Sequence, residues 1–170
     1  MKERKIRILF VCTGNICRSP LAEAVFGKLA SDSGVSELFE VASAGTSDYH
    51  AGQHADPRMR AVAKRHGVTM DHHRALALSE GDLRSYDLVL AMDRGNVREI
   101  ASLDGSSTLG RRLCLFRDFD PKAGPGSEVP DPYYGGPQGF EEVFAIVQRT
   151  AGTLLAKLLQ EGGTGPSGRE

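Results

Sequence analysis

Four short apolar runs alternate with stretches of helical spacing, and that alternation limits the fold more than any other feature of the chain. IRILFV (6–11), LFEVASA (38–44), YDLVLAM (86–92) and RRLCLF (111–116) read as strands. The first and third are almost continuously apolar, as strands buried on both faces must be. Between the runs the sequence predicts helices. The first is capped by Ser19, with Pro20 at its first position and Gly34 just past its end. A second opens at Asp56–Pro57 and ends near Gly67, and a third covers about 94–103. The last runs from about Gly139 to Gln160, with Phe140, Val143, Phe144, Val147, Leu154 and Leu158 near helical spacing. Strands alternating with helices imply a parallel sheet with right-handed crossovers. Such sheets hold ligands beyond the carboxyl ends of their strands.

A chain of 170 residues suits one domain, expected over 1–160. The polar, Gly-rich end QEGGTGPSGRE predicts a disordered tail over 161–170. A net charge of −1 gives no sign of a nucleic-acid binder. The apolar run after MKERK is too short to span a membrane, and no small-residue cleavage site follows it. Three cysteines, Cys12, Cys17 and Cys114, are an odd and sparse set that argues against a disulfide framework. These features predict a monomer in a reducing cytoplasm, with export lacking a signal peptide as the alternative. Cys114 lies in an apolar strand and reads as core. His50 and His54 are four apart, but no third ligand accompanies them, so no metal site is expected.

The chemistry concentrates at FVCTGNICRSP (10–20), where Cys12 ends the first strand six residues before Arg18. A thiol is a poor nucleophile until it ionises. A loop that joins a strand to a helix can aim several backbone N–H groups at one point, and such a nest binds anions. Gly14 and Asn15 both tolerate positive φ. Arg18 adds a permanent charge and a planar fork that matches phosphate oxygens. Together these features favour a thiolate and hold a tetrahedral anion above it, the arrangement for phosphoryl transfer to sulfur. With 15 arginines and three cysteines, the bare spacing would arise by chance in roughly a quarter of such chains. Its setting, between a strand and a Ser–Pro helix start, is what gives it weight.

The stretch CTGNICRSP followed by LAEAVF resembles the phosphate loop of the low-molecular-weight protein tyrosine phosphatases. SAGT (43–46), HADPRM (54–59), AMDRGN (91–96) and DPYYGG (131–136) resemble further segments of that family, in order and spacing, from residue 5 to about 160. The resemblance implies an α/β fold, phosphotyrosine phosphatase I-like. That is a four-stranded parallel sheet flanked by helices on both faces, in Rossmann-like three-layer form. It also implies two-step hydrolysis of phosphotyrosine in proteins and of small aryl phosphates, without metal or other cofactor.

Residue by residue, the resemblance assigns Cys12 as nucleophile and Arg18 as phosphate clamp. Asp131, held between Pro130 and Pro132, becomes the general acid and then the base. Thr13, Gly14, Asn15, Ile16, Cys17 and Ser19 complete the phosphate loop, with Ile16 facing the substrate ring. Asn15, Ser19 and Ser43 are implied to brace one another, joined by a histidine. His72 is named for that place, with His73 as the alternative. Tyr49, Tyr133 and Tyr134 are expected as an aromatic wall for the phosphotyrosine ring. Asp93 would cap a helix, pair with Arg58 or support the loop. The resemblance further implies a reversible Cys12–Cys17 disulfide under oxidation.

Three other functions compete. A protein-arginine phosphatase uses the same loop and acid, but its members resemble GNTCRS, with Thr where this chain has Ile16. An arsenate reductase needs two more cysteines in a relay, and residues 71–100 contain none. A non-catalytic phosphate-binding module would tolerate loss of Cys12 or Asp131, and both are present.

Overall fold

The computed structural model describes residues 4–105 and 109–163. β1 (Ile6–Cys12), β2 (Phe39–Gly45), β3 (Leu88–Ala91) and β4 (Leu113–Leu115) form one parallel sheet in the order β2–β1–β3–β4. The helices are α1 (Arg18–Asp32), α2 (Pro57–Arg65), the short α3 (Glu80–Leu83), α4 (Arg94–Leu103) and α5 (Pro137–Gly163). The strand order reverses direction between β1 and β3, so the crevice beyond their carboxyl ends is where this topology places a ligand. Cys12 ends β1 and pairs with Gly45, and Val11 pairs with Ala91 at the end of β3.

The near-continuous apolar character of β1 has a direct cause. Ile8, Phe10 and Cys12 pack on one face with α1 and α5, and Leu9 and Val11 on the other with Ile100 of α4. Phe10 meets Phe116 edge-on at 5.3 Å, and Phe26 meets Phe39 at 5.1 Å. In α5, Phe140, Val143, Phe144, Val147, Ala151, Leu154 and Leu155 are buried, a stripe at helical spacing. The expected α/β sheet with helices on both faces is therefore present.

Four expectations are corrected. α1 starts at Arg18, so Ser19 is not its cap; the preceding residue, Cys17, makes no side-chain cap bond. Pro20 falls at the third helical position, where its missing N–H costs nothing because the first four N–H groups of a helix lack partners anyway. α5 runs from Pro137 to Gly163, past the end expected at about Gln160. Residues 164–170 of the expected tail lie outside the described residues. Cys114 is only partly buried, because β4 is an edge strand, and its thiol donates to the Arg111 carbonyl at 3.4 Å.

The connection from β4 to α5 is pinned by Asp120, whose carboxylate is buried. It accepts from Arg149 Nε and Nη2, both at 2.8 Å, from Arg117 Nε at 2.9 Å and from the Lys122 amide at 2.9 Å. Arg117 also donates to the Glu128 carbonyl at 2.9 Å, three residues before Asp131. Arg149 is the main reason that the Asp120 carboxyl lies far below the usual carboxylate range, against the opposing effect of burial. Asp120→Ala leaves that cluster without its anion and should cost about 3–5 kcal/mol in urea unfolding at pH 7. The depressed pKa makes the wild-type contribution complete above about pH 4, and it is lost as pH falls toward the folded value. Asp120→Asn should accordingly flatten the acid limb of the stability profile. An unchanged midpoint and acid limb would remove Asp120 as the anchor.

Candidate active site

β1 delivers Cys12 to the carboxyl edge of the sheet, and residues 13–17 curl around its sulfur before α1 begins. Asn15 has φ +59, so the left-handed turn falls on Asn15 and not on Gly14, which lies outside that region. At Gly14 a Cβ would lie 3.0 Å from Cδ2 of His50, so any larger residue there must shift that ring. Gly45 lies directly under the loop, where a Cβ would come within 2.7 Å of the Thr13 carbonyl.

The sulfur is surrounded by donors. The Asn15 amide N–H points at Cys12 Sγ at 3.3 Å, and Ser19 Oγ lies 3.0 Å from it. The direction of the Ser19 hydroxyl follows from the rest of the chain of bonds. Ser43 gives its proton to Glu23 Oε1 at 2.7 Å. Asn15 Nδ2 donates to Ser43 Oγ at 3.0 Å and to Ser19 Oγ at 2.8 Å, while Asn15 Oδ1 accepts from the Leu76 amide at 2.9 Å. Ser19 is left with its own proton for Cys12 Sγ, since its other acceptor, the Ala44 carbonyl, is at 3.5 Å. Two donors therefore face the sulfur, the Asn15 amide and the Ser19 hydroxyl. Thr13 is braced by Asn96 Nδ2 at 3.1 Å, and Ile16 by the Asp56 amide, which donates to its carbonyl at 2.8 Å.

The bracing histidine is His73, not His72. His73 Nε2 lies 2.6 Å from the Asn15 carbonyl, to which it donates, and His72 is exposed. One hydrogen bond to a buried carbonyl contributes about 1–1.5 kcal/mol. If the transition state bears that loss, His73→Ala slows turnover about tenfold. His72→Ala should leave it unchanged, and equal effects in a kcat comparison would remove this distinction.

Arg18 is buried, and its Nη1 donates to Asp93 Oδ2 at 2.8 Å and to the Val129 carbonyl at 3.0 Å. Its Nη2 faces Asp131 Oδ2 at 3.6 Å. Burial works against the Arg18 charge, but Cys12, Asp93 and Asp131 more than offset it and raise its pKa. Asp93 does two things at once, since its Oδ1 also caps α4 through the Asn96 amide at 2.7 Å. It does not pair with Arg58, which Asp56 holds at 2.7 Å. Asp131 is half exposed, with Oδ1 accepting from the Tyr133 amide at 3.1 Å.

These groups open on a cleft of about 510 Å³ lined by Cys12, Arg18, Ile16 and Asp131 and walled by Tyr49, Tyr133 and Tyr134. Tyr49 and Tyr134 are 81% and 92% exposed, so their faces are open to an incoming ring. Arg58 stacks under Tyr133 at 5.2 Å. Cys17 is buried, which pushes its thiol pKa up, and both it and Cys12 are free thiols.

A family model described as low molecular weight phosphotyrosine protein phosphatase matches residues 7–163. A low molecular weight protein-tyrosine-phosphatase of Streptomyces coelicolor is 44% identical over 156 residues, which is 91% of this chain and 94% of the relative. The chain belongs to the low molecular weight phosphotyrosine protein phosphatase family. The crystal structure of YfkJ from Bacillus subtilis superposes on this phosphatase with a TM-score of 0.87 at 34% identity, covering 95% of this chain and 99% of that one. The YwlE arginine phosphatase, also from Bacillus subtilis, superposes with a TM-score of 0.79 at 28% identity, covering 92% and 97%. The phosphatase also carries functional groups that the sequence reading missed. Glu23 and Asn96 brace the loop, and His50 and Arg58 shape the aromatic wall. A signal for Glu23 was available: it lies one helical turn after Ser19, on the same face of α1.

Proposed function

We propose that this phosphatase removes the phosphoryl group from phosphotyrosine in protein substrates, by way of a phosphocysteine at Cys12. The observation that carries this reading is the single cleft on which Cys12, Arg18, Asp131 and three tyrosine rings all open. The loop amides and Arg18 hold the phosphoryl oxygens, and Cys12 Sγ attacks phosphorus in line with the departing phenol oxygen. An incoming dianion takes the Arg18 Nη2 that otherwise faces Asp131, while Nη1 stays on Asp93 and the Val129 carbonyl. Asp131, as general acid, gives a proton to the phenolate as the P–O bond breaks. The resulting carboxylate then takes a proton from water as the water oxygen attacks phosphorus. The P–S bond breaks, and the Cys12 thiolate returns to its donors, Ser19 Oγ and the Asn15 amide, with inorganic phosphate as product. We place the enzyme in the cytoplasm as a monomer, in keeping with its free Cys12 and Cys17 thiols.

The likeness to an arginine phosphatase makes phosphoarginine the second reading. Ile16 and the Tyr133–Tyr134 pair favour the flat phosphotyrosine ring. Hydrolysis of matched phosphotyrosine and phosphoarginine peptides, with Cys12→Ser as the blank, decides between them. A phosphotyrosine preference is expected. The reverse preference would keep the mechanism and overturn the substrate.

A further inference from the structure

A second cleft of about 430 Å³ lies along α1 and shares no lining residue with the active cleft. Its floor is apolar, formed by Ala24, Val41, Val68 and Met70. One wall holds the Glu23 carboxylate, which is only partly exposed. Oε1 of Glu23 accepts the Ser43 hydroxyl at 2.7 Å, and Oε2 has no partner among the described residues. The nearby ammonium of Lys28 is turned along α1 to Asp32 at 3.1 Å, so it does not neutralise Glu23. Burial pushes the Glu23 carboxyl up, and Ser43 and His73 reverse only part of that. A charge that has lost water and keeps an empty acceptor gains a strong, charge-assisted hydrogen bond from a cationic donor.

Gly27 provides an independent observation. It lies within α1 and lines the same cleft, and nothing lies within 4 Å of where its Cβ would be. Glycine inside a helix is destabilising relative to alanine. Packing does not require that cost here; what it leaves is space over the apolar floor.

We propose that this second cleft is a binding site for a small, flat organic cation of the aryl amidine class, its N–H groups on Glu23 Oε2 and its ring on the apolar floor. Occupancy there reaches the phosphate loop by a short route. Glu23 holds Ser43, Ser43 accepts from Asn15 Nδ2, and the same nitrogen donates to Ser19, which lies 3.0 Å from Cys12 Sγ.

The probe is benzamidine, titrated by amide NMR into the full chain with vanadate filling the active cleft. Saturable shifts are expected at residues 24, 41, 68 and 70, with affinity reduced at least tenfold in Glu23→Gln and in Gly27→Leu. Gly27→Leu fills the cleft and raises helix propensity; a thermal melt of each variant shows whether a loss of binding comes from unfolding. Benzoate, of the same shape and opposite charge, should not bind. Binding that survives both substitutions, disappears when vanadate is present, or favours benzoate would overturn the proposal.

Discussion

Cys12→Ser is expected to lower turnover of an aryl phosphate by about four to six orders of magnitude, the scale on which loss of a nucleophile acts. Phosphate affinity should stay within a few-fold of wild type. The two results separate because different atoms are responsible. Oxyanion binding rests on the loop amides and on Arg18, which stays fixed by Asp93 and the Val129 carbonyl whatever atom stands at position 12. Covalent chemistry rests on a sulfur that ionises far more readily than a serine hydroxyl and that has two donors beside it. Rapid-quench labelling with a 32P-phosphorylated substrate should trap phosphoenzyme in the wild type and none in the variant. Turnover by Cys12→Ser at the wild-type rate would end the nucleophile assignment. Loss of phosphate binding together with turnover would show instead that the loop needs the sulfur to hold its shape.

The sequence carried the parts of this site that are local along the chain. Cys12, Asn15 and Arg18 lie within seven residues, and their setting between an apolar strand and a Ser–Pro helix start announces an anion nest with a nucleophile at its base. The strands were legible because burial on both faces makes them continuously apolar, as in β1 and β3. What the sequence did not carry depends on atoms far apart in the chain. His72 and His73 are adjacent and chemically identical, and only the path of residues 70–76 past the Asn15 carbonyl, 58 residues away from His73, selects between them. Ser19 has the sequence signature of a cap, yet the helix begins one residue earlier and frees its hydroxyl for the sulfur. Asp93 satisfied two of its three readings because a carboxylate has two oxygens, one for the α4 amide and one for Arg18. The positive φ that either Gly14 or Asn15 could adopt falls on Asn15, and the close approach of His50 to Gly14 is a tertiary contact with no local signal.

Asp131→Asn should discriminate among leaving groups. A phenol with pKa near 10 leaves slowly as its anion at neutral pH, so a proton delivered in the transition state is worth about 10²–10⁴-fold. A strongly acidic phenol gains little, because its anion leaves unaided. A series of aryl phosphates should therefore give a steep dependence of kcat/KM on leaving-group pKa in the variant and a shallow one in the wild type. The geometry makes asparagine a fair replacement. It can still accept from the Tyr133 amide as Asp131 Oδ1 does at 3.1 Å, so the turn between Pro130 and Pro132 should persist. The anchor provided by Arg117 on the Glu128 carbonyl lies outside the substitution. The second step offers an independent check, since asparagine cannot take a proton from water. With a good leaving group, Asp131→Asn should show a fast burst of phenol followed by slow release of phosphate, as phosphocysteine accumulates. An equal loss of rate across the whole series, with no burst, would point to a change in how the cleft binds substrate and would remove Asp131 from proton transfer.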